Sequence, residues 1–290
     1  KSDPKAFAEH VRAEHMPHAV IIDCTSSQFI ADHYPDWLAA GIHVITPNKK
    51  AGSGPLSAYQ AVRRAMRQGD SRYLYETTVG AGLPILQTLR DLRETGDQLR
   101  RIQGIFSGTL AYLFNVYNGE TPFSQIVREA KTSGYTEPDP RDDLSGMDVA
   151  RKVVILGREM GLQMSLDDVT VESLVPDALA DGDVAAFLDA FAEHDEVMLK
   201  RYEEAKARGE VLRYVATLTA DGKATVALKS LPATHTFAHI NLTDNVVQLE
   251  TDRYCDNPLV VQGPGAGPAV TAAGVFADLL RLSAYLGAAV

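Results

Sequence analysis

The stretch VIIDCTSSQFIADHYPDWLAAGIHVIT, from Val20 to Thr46, decides the fold. It opens on a short apolar run, VIIDC (Val20–Cys24), closed by polar residues, as expected of a strand buried on both faces of a parallel sheet. A helical pattern follows from Phe29 to Ala40 and stops at Gly41, a residue suited to a helix C-terminus. HVIT (His43–Thr46) is then the next strand. Outward from this unit the alternation continues. A Gly-Ser-Gly-Pro turn enters a helix over Pro55–Gln68, YLYE (Tyr73–Glu76) reads as a third strand, and Leu83–Glu94 as a third helix. Strands alternating with helices of this length build βαβ units and a parallel sheet. On the N-terminal side, Pro4–His15 reads as a crossover helix. The strand and Gly-rich turn that normally open a dinucleotide-binding domain do not precede Val20.

After Gly96 the character changes. A strand over Leu99–Phe106 is followed by helical patterns at Thr109–Asn118, Pro122–Ser133 and Ser145–Gly161, and by two helices between Asp183 and Arg208. Strands then come at Val211–Thr219, Ala224–Leu231, Val246–Arg253 and Leu259–Gln262. Helices beside strands that need not be parallel suggest an α+β domain. The last apolar stretch, Val270–Ala289, is expected to be a helix that returns to the first domain and docks through Phe276, Leu279 and Leu280. The expected division is residues 1–96 with 263–290 in a nucleotide-binding domain, and 97–262 in a substrate-binding and catalytic domain.

The 290 residues carry a formal charge of −10, with 45% hydrophobic and 23% charged side chains. This is ordinary globular composition, and the acidic balance disfavours nucleic acid or an anionic membrane surface as partner. Two cysteines, Cys24 and Cys255, are too few for a disulfide framework or a zinc site, which suits a reducing, cytoplasmic setting. The C-terminal apolar stretch contains Asp278 and Arg281, so it reads as a buried helix and not a membrane span.

Chemistry concentrates in GYTEPDPRDDLSGMDVARK, Gly134–Lys152. Prolines and glycines hold its first part out of regular structure. From Ser145 onward the pattern is helical, which stacks Asp148 and Lys152 four residues apart on one face. A surface pair of this kind is worth only a few tenths of a kcal/mol. Following a rigid acidic loop, a lysine held by a carboxylate is also a proton donor with fixed aim. Thr25 and Ser26 follow a strand at its carboxyl end, where open α/β sheets bind ligands, and Lys49 follows the next strand in a Pro-Asn turn. TVGAGLP (Thr78–Pro84) is a Gly-rich bend whose carbonyls could converge on a cation, with Glu76 supplying charge. Ser107, Gly108 and Thr109 open a helix, so their N–H groups could take a carboxylate.

The acidic run resembles the signature of homoserine dehydrogenases. DCTSS (Asp23–Ser27), TPNKKA (Thr46–Ala51), ETTVGAGLP (Glu76–Pro84), GIFSGTLAYLFN (Gly104–Asn115) and QGPGAGPAVTAAGVFADLL (Gln262–Leu280) also look like blocks of that family in its order. VLRYVATL (Val211–Leu218) and VTAAGVFADLLR look most like the dehydrogenase half of bifunctional aspartokinase–homoserine dehydrogenases. The resemblance implies a Rossmann-like nucleotide-binding domain, N-terminally incomplete in these residues, joined to an α+β substrate and dimerisation domain. It implies NAD(P)H-dependent interconversion of L-aspartate 4-semialdehyde and L-homoserine. Lys152 would be the proton donor and Asp148 its orienting partner. Glu137, Thr109 and Asp143 would hold substrate, and Thr25, Ser26, Lys49 and Gly267 would touch NADP or NAD. A sodium ion would sit on Glu76 and the carbonyls of Val79, Ala81 and Leu83, and the protein would be a homodimer. Two rivals make different demands. A semialdehyde dehydrogenase working through a thioester needs a reactive cysteine beside a base. A non-catalytic substrate or oligomerisation fragment would not bind the cofactor.

Overall fold

The computed structural model describes residues 3–12 and 17–287. The ends of the helices expected to reach His15 and Ala289 lie outside them. The chain divides into two compact units, one of residues 1–91, 154–166 and 267–290, the other of 92–153 and 167–266. Residues 154–166, which the sequence division put with the second domain, thus belong to the first unit.

The first unit is built from helix α1 (Pro4–Val11), strand β1 (Ala19–Ile22), helices α2 (Gln28–Ala31) and α3 (Tyr34–Ala39), strand β2 (Ile42–Ile45), helices α4 (Lys49–Ser53) and α5 (Leu56–Gln68), strand β3 (Tyr73–Leu74) and helix α6 (Ile85–Glu94). The strands form a parallel sheet in the order β1-β2-β3. Every residue of β2 is buried, which is why its sequence, apolar apart from His43, does not alternate between apolar and exposed polar positions. Trp37 and Leu38 of α3 and Val62 and Ala65 of α5 are buried in the same unit. Three expectations are corrected here. The helix over Phe29–Ala40 is two short ones, because Pro35 cannot continue the hydrogen bonding of a preceding turn but fits the start of a new one. The third strand ends at Leu74, and Glu76–Thr78 form a single 3₁₀ turn. Lys49 lies on the first turn of α4, which is capped by Asn48, and not in a loop.

The second unit follows with β4 (Leu99–Ile105), α7 (Gly108–Val116), α8 (Phe123–Thr132), α9 (Pro140–Leu144), the first half of α10 (Met147–Glu159, whose residues from 154 on count with the first unit), β5 (Val169–Val171), α11 (Val184–Phe191), α12 (Asp195–Ala207), β6 (Glu210–Thr219), β7 (Ala224–Pro232), β8 (Asp244–Thr251) and β9 (Leu259–Pro264). Its sheet has the order β5-β7-β6-β4-β8-β9, antiparallel except where β5 joins β7. Ile105, Ala111, Val215, Phe237, Ile240 and Val246 form a core cluster in this unit. The acidic loop contains α9, which the sequence reading missed. Asp139 caps it by accepting the Arg141 N–H at 3.0 Å, Pro140 occupies its first turn, and Asp142 and Asp143 favour its positive end. Pro140 and Leu144 are buried, so part of this loop does pack as core.

Helix α13 (Pro268–Tyr285) belongs to the first unit, where it packs on the Glu76–Thr78 turn and β2. The side chains that dock it differ from those expected. Gly274, Asp278 and Leu282, spaced by four, form the buried line, while Phe276 and Leu280 are 58% and 37% exposed. Among the described residues no helix is long and apolar enough to cross a membrane.

Candidate active site

The lysine of the acidic run is built into the second unit. Lys152 is only 9% exposed, and its Nζ reaches Asp148 Oδ2 at 2.8 Å and donates to the carbonyl of Phe106 at 2.7 Å. The i,i+4 spacing on α10 gives the first contact. The second arises because Phe106 directly follows the last residue of β4, Ile105, and its carbonyl lies within reach of Lys152. An ammonium has three N–H donors, so two fixed acceptors leave one to be aimed elsewhere.

Asn245, absent from the sequence-based site, shares the Phe106 carbonyl. Its Nδ2 donates to that oxygen at 3.3 Å, and the residue is fully buried. Its Oδ1 has no partner among the described residues, an arrangement that costs about 1–3 kcal/mol. Period-two alternation on β8 would have flagged it, since Asn245 shares a buried face with Val247, Leu249 and Thr251.

The acids of the loop divide by task. Asp139 is spent on Arg141, whose guanidinium also donates to the Gly182 carbonyl at 2.7 Å. Asp143 accepts the backbone N–H of Glu137 at 2.8 Å, and the Thr109 hydroxyl also bonds to it. Burial raises the Asp143 carboxyl above its ordinary range, and the carboxylates of Glu137 and Asp148 push the same way. Thr109 Oγ1 donates to the Tyr135 carbonyl at 2.6 Å, so Thr109, Glu137 and Asp143 form one group. Glu137 itself is exposed. Ser107 caps α7 by accepting the Leu110 N–H at 3.1 Å.

In the first unit the carboxyl ends of β1 and β2 are locked by a buried network that the sequence reading missed. Asp23 accepts from the Tyr34 hydroxyl, from Asn48 Nδ2 at 3.1 Å and from the Thr25 N–H at 2.8 Å. Thr46 Oγ1 donates to the Asp23 carbonyl at 2.7 Å. These bonds fix the turns that carry Thr25, Ser26 and Lys49. A cleft of about 410 Å³ opens there, lined by Asp3, Phe7, Ile22, Asp23 and Thr25 among others. Gly267, with φ +121°, stands at the start of α13, where no side chain caps the helix.

The Glu76 turn is held from two sides. Its carboxylate accepts the N–H groups of Leu86 at 2.8 Å and Gln87 at 2.9 Å, and its own N–H donates to Asp278 Oδ2 at 3.0 Å. Gly80 and Ala81 both have positive φ, +76° and +51°, an unusual strain for alanine. Thr77 Oγ1 is buried without a partner among the described residues, and the Leu83 carbonyl accepts the Ile85 N–H at 2.8 Å. No group of three His, Cys, Asp or Glu among the described residues is disposed to hold a metal, so any cation here would rest largely on carbonyls.

Burial pushes Glu76 up to about 7, opposed by Arg90 and aided by Asp278, which burial also raises. A carboxyl whose folded value is raised stabilises the fold fully below its unfolded value and loses that contribution as pH climbs through the folded one. Thermal stability should therefore decline between pH about 4.5 and about 7 through this pair. Glu76→Gln and Asp278→Asn should each flatten that slope in thermal melts across pH. Unchanged slopes in both variants would dismiss the pair as its source.

Against known sequences, the homoserine dehydrogenase family matches residues 84–280, and its NAD-binding domain matches residues 3–76. The chain is 53% identical to the chloroplastic bifunctional aspartokinase/homoserine dehydrogenase 1 of Arabidopsis thaliana, aligning over 99% of its own length and 32% of that protein. It thus spans about a third of the bifunctional relatives it matches. It is 44% identical to the homoserine dehydrogenase of Schizosaccharomyces pombe, over 93% of this chain and 74% of that one. A crystal structure of a Candida auris protein of unknown function superposes with a TM-score of 0.92 at 41% identity, covering 98% of this chain and 81% of that one. A hyperthermophilic archaeal homoserine dehydrogenase in complex with NADPH shares the fold, with a TM-score of 0.75 at 22% identity over 98% of this chain and 76% of that one. On the strength of both matched segments and these relatives, the chain belongs to the homoserine dehydrogenase family.

Proposed function

We propose that the protein is an NAD(P)-dependent oxidoreductase that interconverts L-aspartate 4-semialdehyde and L-homoserine. The observation that carries this reading is Lys152, nearly buried, with its ammonium fixed on Asp148 and the Phe106 carbonyl. When bound, the reduced cofactor supplies the hydride to the aldehyde carbon. Lys152 stabilises the oxygen on which charge develops and gives it a proton. Asp148 keeps the ammonium aimed. Glu137 takes the substrate's ammonium group, while Asp143 and Thr109 hold the segment that presents it. Thr25, Ser26, Lys49 and Gly267 line the cofactor's place, in accord with the ligand-binding habit of parallel sheets at the carboxyl ends of their strands. Both cysteines are unpaired, Cys24 exposed and Cys255 partly so, and neither enters this chemistry. NADPH oxidation on addition of aspartate semialdehyde tests the reading. A protein that binds NADPH yet leaves the aldehyde unreduced would overturn it.

Sodium belongs to this proposal at the Glu76 turn, through Glu76 and the carbonyls of Val79, Ala81 and Leu83. The unpartnered Thr77 hydroxyl and the strained Gly80–Ala81 backbone support a ligand there. A cation favours the ionised carboxylate, so sodium should raise the melting temperature more at pH 8 than at pH 5. Equal shifts at both pH values, or none beyond those given by the same concentration of choline, would remove the ion from the scheme. A homodimer formed through the sheet of the second unit completes the proposal. The exposed Val260 on its edge strand β9 supports this, and sedimentation in solution tests it.

A further inference from the structure

We propose that Asn245 is a positioning residue for Lys152, acting through the carbonyl of Phe106. The inference deepens the dehydrogenase reading and rests on it.

The register of the sheet makes the arrangement. Strands β4 and β8 are antiparallel with Ile105 opposite Val246, so continuing one residue sets Phe106 opposite Asn245. At this point β4 stops and the chain turns toward the Ser107 cap of α7. The Phe106 carbonyl therefore leaves the regular ladder just where Lys152 needs it. Asn245 Nδ2 at 3.3 Å and Lys152 Nζ at 2.7 Å converge on this oxygen. A carbonyl can only accept, so the amide of Asn245 must present its nitrogen there, and its oxygen faces away.

A second observation shows how closely the amide is packed. A Cβ built on Gly265 would fall 2.0 Å from Asn245 Cγ, 2.1 Å from Nδ2 and 2.5 Å from Oδ1. The glycine of the turn after β9 thus lets the backbone lie against the amide. Gly265 serves here as a close-packing position. The buried Oδ1, without a partner among the described residues, costs the fold stability instead of adding to it. Leucine, which has the same branching though a larger volume, would remove both the unpaired acceptor and the donor to Phe106, and the Phe106 carbonyl would keep Lys152 as its donor. What it takes away is the grip on the carbonyl. Lys152 then keeps Asp148 on its own helix but loses a fixed second acceptor, and its remaining N–H loses its aim.

The test compares Asn245→Leu, Gly265→Ala, Lys152→Ala and the Asn245→Leu/Lys152→Ala double variant in the whole protein. Asn245→Leu should lower kcat about tenfold, or about 1.4 kcal/mol on the barrier, with KM for both substrates and the melting temperature little changed. Gly265→Ala, which displaces the amide without deleting it, should lower kcat with KM little changed, and its packing clash should also lower the melting temperature. In the Lys152→Ala background, Asn245→Leu should have no further effect on kcat, because the residue acts only through that lysine. Trace labelling with acetic anhydride, read by peptide mass spectrometry, follows Lys152 independently of turnover. Its labelling relative to the other lysines should rise several-fold in Asn245→Leu.

If kcat and Lys152 labelling are both unchanged in the folded variants, the inference is overturned. Equal losses from Asn245→Leu in the presence and absence of Lys152 would also overturn it, leaving a structural role. Should Asn245→Leu fail to fold, Gly265→Ala carries the same kinetic and labelling readouts. Absence of dehydrogenase activity in the wild-type protein would count against the functional reading, and the labelling comparison would still decide whether Asn245 holds Lys152.

Discussion

Replacing Lys152 with alanine should depress kcat by about 10²-fold or more, the usual scale for losing a positioned general acid, while KM for NADPH stays near its wild-type value. The side chain is almost buried, yet two of its three donors meet fixed acceptors at 2.8 and 2.7 Å. This argues against a mere surface ion pair, since such pairs are exposed and weak. Its loss should be chemical more than structural, because the Phe106 carbonyl keeps Asn245 as a donor and Asp148 is 43% exposed to water. Lys152→Arg should not restore the rate. A guanidinium keeps its proton under all working conditions, and its planar fork does not match two acceptors set for a compact ammonium. Asp148→Asn should have a smaller effect, since it weakens the orienting contact but leaves the proton donor in place. A Lys152→Ala enzyme retaining more than about a tenth of the wild-type kcat would exclude the proton-donor role.

What could be read from the sequence was largely what depends on neighbours along the chain. β1 and β2 announce themselves by apolar runs, and α5 and α6 by 3.6-residue periodicity, because each pattern is set within a few residues. The Asp148–Lys152 contact was legible for the same reason, since the i,i+4 rule needs only that the segment be helical. Helix α9 was not read, because two prolines and a crowd of acids look like loop until Asp139 is seen as a cap. Asn245 is legible only in part, since period-two alternation on β8 marks it as buried but not what it contacts. Its meaning depends on a strand register between residues 139 positions apart, which no local pattern records. The Asp23–Tyr34–Thr46–Asn48 network likewise joins the ends of two strands and an intervening helix. The docking face of α13 is hidden from the sequence because hydrophobicity is a poor guide to burial on this helix. At this helix close approach matters more, and it selects glycine.

Gly274→Ala should therefore destabilise the protein, against the direction that helix propensity gives. Within a helix, alanine is better than glycine by about 0.8–1.0 kcal/mol, so an exposed Gly→Ala change would stabilise. Here the added Cβ would come 2.3 Å from Thr77 Cγ2, 3.0 Å from the Gly82 Cα and 3.1 Å from the Ala81 carbonyl oxygen. Two of these three neighbours are backbone atoms, so they cannot swing aside as the end of a flexible side chain can. Overpacking of this kind costs about 1–3 kcal/mol, enough to outweigh the propensity gain over most of that range. The strain would fall on the turn that already holds Ala81 at φ +51°, and on the Asp278 bond to the Glu76 N–H one helical turn away. Ala272→Gly, at an exposed position of the same helix, supplies the control and should cost about 1 kcal/mol by propensity alone. Denaturant melts of the wild type and both variants decide the matter. If Gly274→Ala proves more stable than wild type, α13 does not lie against the Thr77–Gly82 backbone as closely as described, and the close-approach explanation of Gly274 fails.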